Sequence, residues 1–193
     1  MSYMPHNDKM PFKTLVWTTI FFTIIITASN VLVAFQIGHT PLTYGAITYP
    51  FSFLLMDVMS EKYDRRSVMN ALRIGLVLAF IPSMFISETP RFAIASIAAF
   101  CVSQYLDVVI FFKIKQRFPK LWWFRNATSA SLAQFIDTII FFHVAFLFSV
   151  HYSEVWLMGL SDYSIKLILN FINIPLFYFI AVRTYKRFTF IKR

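Results

Sequence analysis

Apolar positions in this chain fall into six runs of about twenty residues, and none of them alternates with period two. A run of that length matches the ~30 Å hydrocarbon core of a bilayer, and a continuous run there means a helix rather than a barrel strand. The expected spans are 14–35, 44–60, 68–86, 92–112, 127–150 and 165–185. The second opens Gly45-Ala46-Ile47-Thr48-Tyr49-Pro50. Pro50 removes a helix hydrogen bond, so this span is expected to be broken or to start late, where protein or water covers the freed backbone.

Polar residues inside the runs carry the second signal. Gln104-Tyr105-Leu106-Asp107 with Phe111 returns thirty residues later as Gln134-Phe135-Ile136-Asp137 with Phe141. A carboxylate inside hydrocarbon costs roughly 2.5–3.5 kcal/mol even on lenient insertion scales. Gln at i, Asp at i+3 and Phe at i+7 share one helical face, so each copy presents an amide, a carboxylate and a ring. The two stripes read as halves of a polar site within a helix bundle. Asn30 lies near the far end of the first span, where a buried amide needs a partner. Asp57, Glu61 and Arg65 share a face at i, i+4 and i+8, which fits either a site or a ladder of boundary salt bridges.

Composition then fixes the class. With 58% hydrophobic and only 14% charged residues and a mean hydropathy of +0.64, the chain is too apolar for a soluble domain, which carries about a quarter charged residues. Sixteen of the 18 Lys and Arg fall at the termini and at the ends of the even-numbered spans, against Arg91 and Lys166 elsewhere. The positive-inside rule then places both termini in the cytoplasm. The expected fold is an all-α integral membrane protein with six transmembrane helices, in a single domain over 14–185. A cytoplasmic segment (1–13) precedes it and a basic tail (186–193) follows. In this topology Asp137 sits ~18 Å above Arg125, near the midplane, and Asp107 only ~9 Å from Lys113. The two aspartates are therefore not expected to be equivalent.

Several functions are excluded or disfavoured. The net charge of +9 is spent on topology, so nucleic acid is not an expected partner. Cys101 is the sole cysteine, four glycines leave no nucleotide loop, and a lone His143 reads as packing. No catalytic set, metal ligand set or cofactor is expected.

Gly45…Tyr49-Pro50, Asp57…Glu61-x-Tyr63, Gln104-x-x-Asp107, Ser129…Asp137 and Asp162-Tyr163…Lys166 occur in this order. The pattern resembles the bacterial queuosine precursor transporter family, also grouped as vitamin uptake transporters, over about 27–185. That resemblance implies a multi-pass protein of the bacterial cytoplasmic membrane. Its implied cargo is a 7-deazaguanine: 7-cyano-7-deazaguanine, its aminomethyl form or queuine. One departure bears on the turn after the second span, where Asp64 stands at a position often occupied by Gly.

Chemistry agrees with the resemblance. A guanine-like base offers adjacent N–H donors to a carboxylate, a carbonyl to an amide and a flat face to a ring. The candidate substrate residues are Asn30, Tyr49, Asp57, Glu61, Gln104, Asp107, Phe111, Gln134, Asp137 and Lys166. The expected partners are the deazapurine base and the bilayer, with a homodimer left open. The alternative function is a substrate-binding subunit of an energy-coupling factor transporter. Against that, a docking stripe of small residues four apart is not evident on the first span, where Leu32 follows Ala28.

Overall fold

A computed structural model describes residues 8–32, 35, 37–38, 43–86, 90–146 and 148–183. The basic tail expected at 186–193 lies outside the described residues, as does most of the cytoplasmic N-terminal segment. Every long element is a helix: α1 (Phe12–Leu32), α2 (Tyr44–Thr48), α3 (Pro50–Lys62), α4 (Arg65–Ile86), α5 (Pro90–Arg117), α6 (Trp122–Phe146) and α7 (Tyr152–Phe177). A π-helical turn, Tyr178–Arg183, extends α7 just past Pro175. The short α2 and α3 together occupy the second expected span, so six helical units correspond to the six apolar runs.

Among the described residues, α1, α5, α6 and α7 are long and apolar enough to cross a membrane. Much of α1 is Thr, Ile, Val and Phe, residues with modest helix propensity in water. Inside lipid the backbone has no other donor or acceptor, and that constraint decides for helix. Hydroxyls follow the same rule and bond back to their own helix: Thr23 to the Thr19 carbonyl (2.9 Å) and Ser29 to that of Ile25 (2.8 Å).

Two helices run differently from the sequence expectation. Helix α7 begins at Tyr152, thirteen residues before the apolar run at 165, because no proline interrupts 152–164 and the chain stays helical through the buried Gly159. Helix α3 has only 13 residues, ~20 Å, and nine of them are buried. It touches α1, α4, α5, α7 and the π turn, so it is the inner element of the bundle.

The break before α3 falls at Tyr49–Pro50, as the proline implied. Thr43 caps α2 by accepting from Ala46 N at 3.2 Å, and Pro50 takes the first position of α3. Side chains cover exposed carbonyls around the break. Thr48 Oγ1 donates to Tyr44 O and Gly45 O (3.1 Å each), Ser52 Oγ to Tyr49 O (2.9 Å), and Asn173 Nδ2 to Pro50 O (3.4 Å).

Close packing fixes the rotation of the helices. A Cβ added at Gly75 of α4 would sit 2.6 Å from the Phe22 ring of α1, so only glycine lets these two helices approach this far. Ser129, Ala130 and Ala133 give α6 a small-residue face, and α5 with α6 is the most extensive helix pair. The turn between α3 and α4 does not need the glycine common at position 64. Tyr63 is extended (φ −124°, ψ 169°), and the Asp64 carboxylate caps α4 by accepting from Arg66 N (3.1 Å) and Ser67 N (3.3 Å). Asp64 N also donates to the Asp8 carbonyl at 3.0 Å, which ties the N-terminal segment to this corner.

Candidate functional site

Between α3, α5, α6 and α7 runs a column of buried polar side chains in four tiers. Its axis is the antiparallel α5–α6 pair, which brings the two Gln-x-x-Asp copies together head to tail.

The first tier is closed by charge. Lys166 Nζ donates to Asp137 Oδ2 (3.1 Å), Thr138 Oγ1 (3.1 Å) and Asp162 Oδ2 (2.6 Å). Ser103 Oγ donates to Asp137 Oδ1 at 3.1 Å, and Thr138 Oγ1 to Asp162 Oδ2 at 3.2 Å. The ammonium also lies 5.0 Å from the Tyr49 ring centroid, and that ring packs on Phe100 at 4.6 Å and Phe53 at 5.3 Å.

The second tier is open. Gln104 lies one residue and Gln134 three residues beyond the Ser103–Asp137 bond on the same side, about 1.5 and 4.5 Å along the helix axes. Both are fully buried. Gln104 Nε2 donates to Ser52 Oγ at 2.8 Å, while its Oε1 has no partner among the described residues. Among the described residues neither Oε1 nor Nε2 of Gln134 has a partner, and the Tyr49 hydroxyl lies beside Asp137 and Ser103 without a well-formed hydrogen bond. A buried polar atom left unpaired costs about 1–3 kcal/mol, so such a cluster is costly for the protein alone.

The third tier holds two carboxylates. Asp57 Oδ2 accepts from Asn126 Nδ2 at 2.5 Å, and Asp57 and Asp107 lie close enough to interact directly, with Ser129 beside both. Among the described residues, nothing meets hydrogen-bond geometry with Asp57 Oδ1, either Asp107 oxygen or Asn126 Oδ1.

The fourth tier is a second ion pair. Arg125 grips Glu61 at two points, Nη2 to Oε1 at 2.5 Å and Nε to Oε2 at 2.8 Å, and donates to Pro119 O at 2.9 Å. Lys115 Nζ donates to the Ser60 and Glu61 carbonyls (2.7 and 2.9 Å), satisfying the C-terminal end of α3 with a positive charge.

The column gathers Tyr49, Asp57, Glu61, Gln104, Asp107, Gln134, Asp137 and Lys166. Asn30 is not among them. It accepts from Ser96 Oγ at 3.4 Å, seven residues before Ser103 on α5. Phe111 packs among Phe112, Phe177 and Arg125 at 5.9–6.2 Å, beside the fourth tier rather than over the amides. The ring next to the amides is Tyr49. Sequence reading passed over Ser52, Ser103, Arg125, Asn126 and Thr138. Asn126 had a signal, since 126, 130, 134 and 137 share one face of α6.

The family model described as "Putative vitamin uptake transporter" matches residues 83–180, a span that holds both Gln-x-x-Asp copies. A "Probable queuosine precursor transporter" of Haemophilus influenzae is 30% identical over 89% of this chain and 86% of its own length. The chain belongs to the queuosine precursor transporter family. Two further relatives in that family are a "Probable queuosine precursor transporter" of Bacillus subtilis and the "Queuosine precursor transporter" of Escherichia coli. The first is 35% identical over 70% of each chain. The second is 28% identical over 86% of this chain and 85% of its own. No solved structure gives a significant match. As a member of the queuosine precursor transporter family the protein is a multi-pass membrane transporter and not an enzyme, as the sequence pattern implied.

Proposed function

We propose that this protein imports a 7-deazaguanine queuosine precursor (7-cyano-7-deazaguanine, its aminomethyl form or queuine) into the cytoplasm, and that the base binds at the amide tier. The observation that carries the reading is Gln134, whose amide is fully buried with both polar atoms unpaired. A primary amide offers a donor and an acceptor side by side. The pyrimidine edge of a guanine-type base offers the complementary pair, a carbonyl beside a ring N–H. Gln104 Oε1 and the Asp137 carboxylate then accept the two hydrogens of the exocyclic amine. The pyrrole N–H meets the Tyr49 hydroxyl, and the ring face lies against Tyr49 and Phe100.

In this reading both termini are cytoplasmic, so the tier of Glu61 and Arg125 closes the column on the cytoplasmic side. Sixteen Lys and Arg at that end support the orientation. The test is binding by purified protein of the three deazaguanines, with uptake measured in a host lacking energy-coupling factor components. Uptake conferred by this chain alone supports the transporter over a coupling-factor subunit. Absence of binding to any of the three bases would overturn the assignment.

A further inference from the structure

The third tier presents a different chemistry from the tier above it. Its unpaired atoms are all oxygens: Asp57 Oδ1, Asp107 Oδ1 and Oδ2, and Asn126 Oδ1. All three residues are at most 2% exposed. The one amide nitrogen in the cluster is spent on Asp57, and the Ser129 hydroxyl reaches the Asn126 carbonyl at 3.5 Å. Among the described residues the Ser129 hydroxyl is the donor that stands beside Asp57 and Asp107, so one hydroxyl faces four oxygens. Arg125 acts on Asp57 electrostatically, but its fork is engaged with Glu61.

We propose that Asp57, Asp107, Asn126 and Ser129 form a binding site for one sodium-like monovalent cation, next to the amide tier. Oxygen-only ligands suit a hard cation, and buried carboxylates in a membrane bundle are stable only when paired. Charge selects the valence. Asp57, Asp107 and Glu61 face two cations, Lys115 and Arg125, across the third and fourth tiers, which leaves one negative charge to offset. A single shared proton would engage one carboxylate oxygen on each side, and the one Ser129 hydroxyl would serve the second Asp107 oxygen or Asn126 Oδ1 but not both. A metal cation takes several oxygen ligands at once, which suits this set of four oxygens and a hydroxyl better than one proton does. Asp107 is three residues, ~4.5 Å along α5, from Gln104, so an ion there is placed to couple to whatever occupies the amide tier.

The experiment is thermal melting of the purified full-length protein, without added base, in sodium, potassium and choline chloride at equal ionic strength and fixed pH. Sodium should raise the midpoint saturably, choline should not, and Asp57→Asn should weaken half-saturation by at least ~10-fold. If Asp57→Asn fails to fold, Ser129→Ala supplies the same comparison and should shift half-saturation in the same direction. Identical melting in all three salts would overturn the site. A pH response without a sodium response, abolished by Asp57→Asn, would also overturn it and give the pair to a proton. A second arm, 7-cyano-7-deazaguanine affinity against sodium concentration, rests on the proposed function. Sodium stabilisation without base binding would leave the ion site standing and remove the base.

Discussion

Glu61 and Arg125 meet in a two-point ion pair with both side chains buried, 64 residues apart in sequence. The planar guanidinium matches the carboxylate at two points, which a lysine cannot do. Removing one partner leaves the other charge buried alone, a loss of about 3–5 kcal/mol. Glu61→Ala is therefore expected to lower the melting midpoint steeply, and Arg125→Lys to lower it as well. A double variant, Glu61→Leu with Arg125→Met, should recover much of the loss. Melting curves of the three proteins test this, and a double variant no more stable than Glu61→Ala would show that the pair is not what holds this end closed.

Gln134 is expected to behave in the opposite way. Gln134→Leu removes two unpaired buried atoms at nearly constant volume, so the midpoint should stay level or rise while deazaguanine binding is lost. Binding and melting measured on the same preparation decide the matter. A lower midpoint with unchanged affinity would make Gln134 a scaffold residue.

The two aspartates should separate as well. Asp137 holds Lys166 and Ser103, so Asp137→Asn is expected to lower stability and to weaken base affinity roughly ten- to hundredfold. Asp107 holds no ion pair among the described residues, so Asp107→Asn should leave the midpoint in choline chloride level or raise it. Equal loss of stability in both variants would remove the distinction.

Selectivity follows from the amide. Gln134 can turn its amide to pair with adenine, but adenine lacks the exocyclic amine beside that edge, so it would leave Gln104 Oε1 and the Asp137 carboxylate without their donors, a mismatch of several kcal/mol. A deazaguanine should compete for uptake far better than adenine does. Equal competition would show that Gln104 and Asp137 do not read the exocyclic amine.

Orientation is checked with reporter fusions. Those after Arg66 and Arg125 should report cytoplasm, and one near Glu154 should report the outside. A periplasmic signal after Arg125 would invert the proposed direction of the column.

By itself the sequence determined that the chain is a membrane helix bundle, that the helix breaks at Pro50, and that two Gln-x-x-Asp copies put polar side chains inside it. Lipid makes those features legible, because it forbids unpaired backbone and makes every buried carboxylate expensive. The Asp162–Lys166 contact was also within reach, since i, i+4 neighbours on one helix are fixed by local geometry. Only the tertiary structure decided which aspartate receives that lysine. It brought Lys166 of α7 to Asp137 and left Asp107 facing Asp57, and it joined Asn126 to Asp57 across 69 residues. Such pairings depend on the rotation and depth of whole helices. Those are set by close contacts such as Gly75 against Phe22 and by the small-residue face of α6, which no local pattern along the chain records.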